Sequence, residues 1–204
     1  PVTPLEQNCT LFICEETQDA VVIDPGGDVD KIAAWIAKEG AKVGKILLTH
    51  GHFDHAGGAM ALKEKLNVPL WGPHQADKYW LDSIATSGLM YGISGGQNCQ
   101  PDQWLEDGDT VFFGNERIEV LHCPGHTPGH VVYCHRGAKL LQVGDVLFAG
   151  SIGRTDFPGG NHQDLIDSIQ KKLFPLGDDM RFIPGHGPMS TLGEERRHNP
   201  FVRG

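Results

Sequence analysis

The sequence predicts an α+β fold in which sheet packs on sheet and helices lie outside. Short β-branched and apolar runs recur along all 204 residues and outnumber the amphipathic stretches, and both halves of the chain mix hairpin-like pairs with strand–helix alternation. Neither a linker nor a low-complexity tract divides the chain, so residues 1–204 are expected to form one domain. Strand count alone does not separate this arrangement from a doubly wound sheet.

Taken in order, residues 10–14 and 20–23 read as strands, the second stopped by Asp24-Pro25-Gly26-Gly27. Residues 29–39 form the first helix, with Ile32, Ala33, Ile36 and Ala37 on one face, Asp28 or Asp30 as its cap and Gly40 as its end. Residues 45–49 (KILLT) form a buried strand, 59–66 a helix, 69–71 a short strand and 75–83 a weak helix. In the second half, 110–113, 118–121, 131–134 and 140–143 are strands punctuated by Gly and Asn. A helix over 163–174, a last strand at 180–183 and a short helix over 191–198 complete the reading.

Composition narrows the function. Seventeen Lys and Arg against 26 Asp and Glu leave a net charge of −9, which argues against a nucleic-acid or anionic-membrane surface. No apolar stretch approaches the ~18 residues a membrane helix needs. The first residues, PVTPLEQNCTLFIC, do not have the basic and apolar pattern of a secretory leader. The five cysteines form no C-x-x-C pair, so neither a disulfide framework nor a zinc ribbon is expected, and a reducing, cytoplasmic setting follows. No heptad or apolar stripe speaks to oligomeric state.

Eleven histidines are the unusual feature. Directly after the KILLT strand comes His50-Gly51-His52-Phe53-Asp54-His55, four potential metal ligands within six residues. Chance would produce H-x-H-x-D-H about 0.002 times in a chain of this composition, which sets a solvated histidine-rich turn aside. Further donors occupy a repeated context of apolar strand, small residue, ligand: His126 in C-P-G-H-T-P-G-H, Asp145 in V-G-D and His186 in P-G-H-G. If those strand ends share one edge, seven donors converge. A carboxylate such as Asp145 can then bridge two cations about 3.5–4 Å apart.

At these residues the chain resembles the metallo-β-lactamase superfamily, and within it the glyoxalase II (hydroxyacylglutathione hydrolase) branch. The motifs T-H-G-H-F-D-H-A-G-G, G-H-T-P-G-H, G-D-V-L-F and P-G-H-G stand in the family's order across nearly the whole chain. The resemblance implies a four-layer αββα sandwich with the site at one edge of the two sheets. It implies one metal on His50, His52 and His126, a second on Asp54, His55 and His186, and Asp145 between them. Two divalent ions are expected, zinc foremost, with iron or manganese also compatible with the ligand set. The chemistry is metal-assisted hydrolysis, with Asp54 and Asp145 as the catalytic carboxylates acting through a metal-activated water. No protein nucleophile is needed: there is no G-x-S-x-G elbow, and Cys123 reads as a small buried side chain.

Substrate follows from the same resemblance. True β-lactamases carry a different residue at the position of Asp145, so a glutathione thioester such as S-lactoylglutathione is expected, with Arg154 matching a lysine that contacts glutathione. Against this, Gly153-Arg154-Thr155-Asp156-Phe157 resembles the segment of persulfide dioxygenases, iron enzymes of the same fold, which is the alternative. The chain stops where long glyoxalase II enzymes continue into a helical extension, so it looks like the short form, with weaker thiol recognition. A non-enzymatic metal module would not need seven donors with an open water position. Two readings of Asp24 stand side by side: a turn or cap residue, or an acceptor for the free N–H of a ligand histidine. His130 reads as structural, and His74, His122, His135, His162 and His198 receive no role.

Overall fold

In a computed structural model, which describes residues 1–202, a four-stranded and a six-stranded sheet pack face to face with helices on both outer sides. The first sheet comprises β1 (Thr10–Ile13), β2 (Asp19–Ile23), β3 (Lys42–Leu47) and β4 (Leu70–Trp71), in that order. β1 and β2 form an antiparallel hairpin, whereas β2, β3 and β4 run parallel. Parallel neighbours need crossovers, which α1 (Val29–Glu39), α2 (Phe53–Ala56) and α3 (Ala59–Leu66) provide. A single 3₁₀ turn (Gln75–Asp77), α4 (Lys78–Leu81) and α5 (Ile84–Met90) lead to the second sheet.

There β5 (Thr110–Phe113), β6 (Glu116–His122), β7 (Val131–His135) and β8 (Leu140–Gly144) make an antiparallel meander. After the small hairpin β9 (Leu147–Phe148) and β10 (Ser151–Ile152) comes α6 (His162–Asp167). β11 (Arg181–Pro184) then joins β8 in parallel, and β12 (Ser190–Thr191) and α7 (Leu192–His198) follow. β6, β8 and β11 therefore point the same way, and their carboxyl ends share one edge.

The apolar runs are continuous because the central strands are buried on both faces. Val21, Ile23 and Leu47 face Val131 and Tyr133 between the sheets. Their neighbours Val22, Ile46 and Leu48 turn outward beneath Ile32, Ile36 and Leu62 of α1 and α3. On the far side Val132, Cys134, Leu141 and Val143 pack under Leu165, Ile169 and Leu173. This alternation makes the four layers.

The structure departs from the sequence reading at several elements. Asp28 precedes α1 in a left-handed conformation without capping it; its carboxylate accepts from Thr3 N at 3.0 Å instead. The helix expected over 163–174 ends at Asp167, continues as a wide π turn over 168–173 and closes in a 3₁₀ turn at Phe174–Leu176. Pro175 lacks the N–H that a continuing helix would use. The weak helix at 75–83 resolves into the 3₁₀ turn and α4, while α5 and the two-residue strands β9, β10 and β12 are too short to leave a periodic signal. Among the described residues no helix is long and apolar enough to cross a membrane.

Candidate metal centre

Two bonds between the sheets set the edge where the histidines gather. Tyr133 Oη donates to Leu48 O at 2.6 Å, and Val131 N donates to Thr49 O at 2.8 Å. The backbone leaving β3 is thus held against β7 just before His50. His52 then stands in extended conformation at the start of α2, which carries Asp54 and His55. Behind α2, the turn at Gly26 passes so close that a Cβ there would lie 1.6 Å from Asp54 O; only glycine permits that approach.

The seven predicted donors come together. His52 Nδ1 lies 3.1 Å from His50 Nε2 and 3.0 Å from His126 Nε2. In a second group, Asp54 Oδ2 lies 3.0 Å from His186 Nε2 and 3.8 Å from His55 Nε2. Asp145 stands between them, with Oδ2 3.6 Å from His126 Nε2 and Oδ1 3.3 Å from His55 Nε2. Gly185 makes room for it: a Cβ there would come within 2.0 Å of Asp145 Oδ1 and 2.6 Å of His55 Cε1.

This donor set fits metal ions better than it fits itself. His52 Nδ1 has one proton or one lone pair, so it cannot bond both nitrogens beside it. A tetrahedral ion with 2.0–2.1 Å bonds separates its ligands by about 3.3 Å, close to the spacing of this trio. His55 Nε2 and Asp145 Oδ1 are buried without a hydrogen-bond partner, an arrangement that is costly unless a cation sits among them.

The two groups differ electrostatically. Burial, reinforced by repulsion among the rings, holds His50 well below the ordinary histidine range, brings His52 to about 3 and lowers His126. These imidazoles are neutral, the form that binds metal. Burial opposes charge on His55 as well, but Asp145 and Asp54 outweigh it and hold His55 well above its usual value. His186 is raised in the same way, chiefly by its bond to Asp54. Reciprocally, the histidines outweigh burial at Asp145 and Asp54 and lower both carboxyls.

The far nitrogens of His50, His55, His126 and His186 are anchored, which fixes tautomer and ring orientation, whereas His52 Nε2 is buried without a partner. His126 Nδ1 donates to Arg154 O at 2.7 Å, and His186 Nδ1 to Leu5 O at 3.1 Å. Asp24 accepts from Thr49 N (2.7 Å), Thr49 Oγ1 (2.6 Å) and His55 Nδ1 (2.9 Å); of its two sequence readings, the geometry is that of an acceptor for a ligand histidine. His130 stacks on His50 with centroids 4.7 Å apart, and its Nε2 accepts from Asp145 N at 3.1 Å. The Arg154 side chain is exposed, paired with Asp156 and laid over Phe157 at 4.5 Å. Cys123 is fully buried, and burial pushes its thiol up to about 12, which suits packing rather than attack.

Several contributors were not legible in the sequence. Phe157 and Trp80 wall the first histidine group, their rings 4.8 and 4.5 Å from His52. Asp77, buried at the start of α4, binds the loops on either side of that group. Carbonyls such as Leu5 O and Arg154 O have no side-chain signature at all. For Asp77 the available signal was an acidic residue within an otherwise half-apolar stretch, too common to single out.

Residues 2–186 match the model of the Metallo-beta-lactamase superfamily, and the chain belongs to that superfamily. It is a metallo-hydrolase of a group that binds divalent metals. The chain is 42% identical over 203 residues to hydroxyacylglutathione hydrolase GloC of Haemophilus influenzae, covering 99% of this chain and 95% of the relative. Among solved structures it is similar to the BLEG-1 B3 metallo-beta-lactamase, with a TM-score of 0.92, 36% identity, and 100% and 98% of the two chains covered. It is also similar to TTHA1623 in a di-iron-bound form, with a TM-score of 0.90, 38% identity and 98% of each chain covered.

Proposed function

We propose that this metallo-hydrolase cleaves the thioester of S-lactoylglutathione or a related acyl-glutathione. The observation that carries the reading is the seven-donor cage, in which Asp145 comes within 3.3 and 3.6 Å of a histidine from each group. Likeness to the Haemophilus influenzae hydroxyacylglutathione hydrolase supports the substrate class. His50, His52 and His126 would hold one divalent ion, Asp54, His55 and His186 the other, and Asp145 would be shared. Zinc is the first choice, and iron and manganese suit the same donors. Bound there, two such ions supply Lewis-acid polarisation of a carbonyl and acidify a water toward neutrality.

The chain's own residues do the rest. Asp54 and Asp145 are the catalytic carboxylates, Asp145 between the two groups and Asp54 beside His186 in the second, where their ionised oxygens orient the water. Asp24, Arg154 O and Leu5 O keep His55, His126 and His186 aimed. The Arg154 guanidinium, exposed beside Phe157, is the contact for the glutathione backbone. No side-chain nucleophile is required. The five free cysteines support a reducing, cytoplasmic setting, and the substrate is a small molecule rather than a nucleic acid or a membrane.

One feature favours a second reading. The segment Gly153–Phe157, which packs Phe157 against His126 and His52, resembles that of persulfide dioxygenases. Steady-state turnover of S-D-lactoylglutathione by metal-replete protein, with Asp145→Ala as control, separates the two. Rapid hydrolysis that vanishes in the variant is the expected result. Folded, metal-loaded protein that leaves the thioester intact but consumes oxygen with glutathione persulfide, or opens a chromogenic cephalosporin, would replace this assignment.

A further inference from the structure

We propose that Asp77 is a positioning residue for the first histidine group, cross-linking the loop of His50 and His52 to the loop of His126. Its carboxylate is fully buried and touches no ligand atom. Oδ2 accepts from Gly51 N at 2.8 Å and from Thr127 Oγ1 at 2.7 Å, while Oδ1 accepts from Gly129 N at 2.5 Å. Gly51 separates His50 from His52, and Thr127 follows His126. One carboxylate therefore spans two loops whose histidines are 74 positions apart and whose ring nitrogens must meet at 3.0 Å.

The surrounding backbone is shaped for this contact. A Cβ on Gly51 would lie 2.6 Å from Trp80 Cβ and 3.2 Å from Asp77 O, and one on Gly129 would lie 2.5 Å from Asp77 N. Among the described residues no Lys or Arg pairs with Asp77, so three hydrogen bonds, helped by the nearby His74, are what offset its desolvation. Burial outweighs those bonds and raises the carboxyl to about 6. A neutral amide in its place has one accepting oxygen and turns an NH2 group toward a donor, so it could not hold all three. A carboxylate, which only accepts, holds two N–H groups and a hydroxyl at once. Asp24 does for the second group through His55 what Asp77 does for the first through the backbone.

This inference rests on the reading that His50, His52 and His126 hold a metal, and the test separates the two. Metal-stripped protein is titrated with Co²⁺ against a chelator in two single-site backgrounds. With His186→Ala, which leaves the first group intact, Asp77→Asn is expected to weaken Co²⁺ binding at least tenfold, within the 10–100-fold range of residues that support metal ligands. Thr127→Val, which removes one of the three bonds and retains Asp77, weakens it severalfold. With His126→Ala, which leaves the second group, the same changes move affinity less than threefold. Asp102→Asn, which breaks bonds to Leu70 N and Lys63 remote from the histidines, controls for general destabilisation and leaves affinity unchanged in both backgrounds. Equal losses in the two backgrounds, or losses no larger than those of the Asp102 control, would overturn the role of Asp77. If the His186→Ala protein takes up no Co²⁺ with Asp77 intact, the metal reading itself fails. Should Asp77→Asn not fold, Thr127→Val decides the matter alone.

Discussion

The two histidine groups lie side by side and share Asp145, yet they are built on opposite principles. The first is three neutral imidazoles in an apolar wall of Trp80 and Phe157, positioned through Arg154 O, the Thr49 hydroxyl and the loop amides that Asp77 holds. The second mixes carboxylates with histidines whose protonated forms those carboxylates favour. The first group is neutral and ready for a cation, whereas a cation entering the second competes with the protonated histidines that its carboxylates favour. Two sites of similar donor count can thus differ in proton linkage because charge, rather than geometry, differs.

The largest effect is expected where the comparison breaks down, at the shared residue. Asp145→Ala should lower thioester turnover by about three orders of magnitude or more, and metal analysis should show fewer than two ions per chain. Retention of both ions and of turnover would show that the groups work independently.

Asp24→Asn sharpens the contrast on one side. Metal affinity of the second group should fall about 10–100-fold. The metal-free fold should lose roughly 1–3 kcal/mol, because Asn keeps one accepting oxygen, and either Thr49 N–H or the pair Thr49 Oγ1 and His55 Nδ1 then faces an NH2 group. Chelator competition and denaturant unfolding read the two separately.

Metal removal exposes the difference in sign. In the first group the folded values are lowered, so the unfolded chain takes up protons first as pH falls below 6.5, and stability drains away toward about 3 for His52. In the second group the values are raised, so that stability is full below 6.5 and is lost as pH rises through the folded values of His55 and His186. Each titrating group contributes a slope of at most about 1.4 kcal/mol per pH unit. Urea unfolding of metal-free protein between pH 4 and 9 should show both limbs, and His55→Ala should flatten the alkaline one. Calorimetry in buffers of different ionisation heat should find protons released on filling the second group and essentially none on filling the first.

The smallest effect is expected at the rim. Arg154→Ala should raise KM for the glutathione thioester about three- to tenfold with kcat within twofold, and leave stability unchanged, because an exposed ion pair contributes little. An equal fall in kcat would place Arg154 at the reacting centre.

Much of this organisation is legible along the chain. The donors from His50 to His55 stand out because one loop holds four of them, and His126, Asp145 and His186 because each follows an apolar strand and a small residue. Local order is equally readable in the strands, whose continuous apolar runs reflect burial on both faces. Asp28 is an instructive failure: a residue of the right type at the right place was drawn to Thr3 N, 25 positions away. The change from α-helix to a π turn after Asp167 leaves no mark in the apolar periodicity.

The sequence by itself determined the chemistry available: which donors exist, at which strand ends, and which runs must be buried. Tertiary structure alone decided their geometry, namely that His186 meets Asp54 across 132 positions at 3.0 Å, that Asp24 serves His55, and that Asp77 binds two loops. The reason is physical. Side-chain type and short-range periodicity are local properties written in order along the chain. The charge and aim of each donor depend instead on burial, on neighbours brought from far away, and on backbone atoms that every residue carries alike.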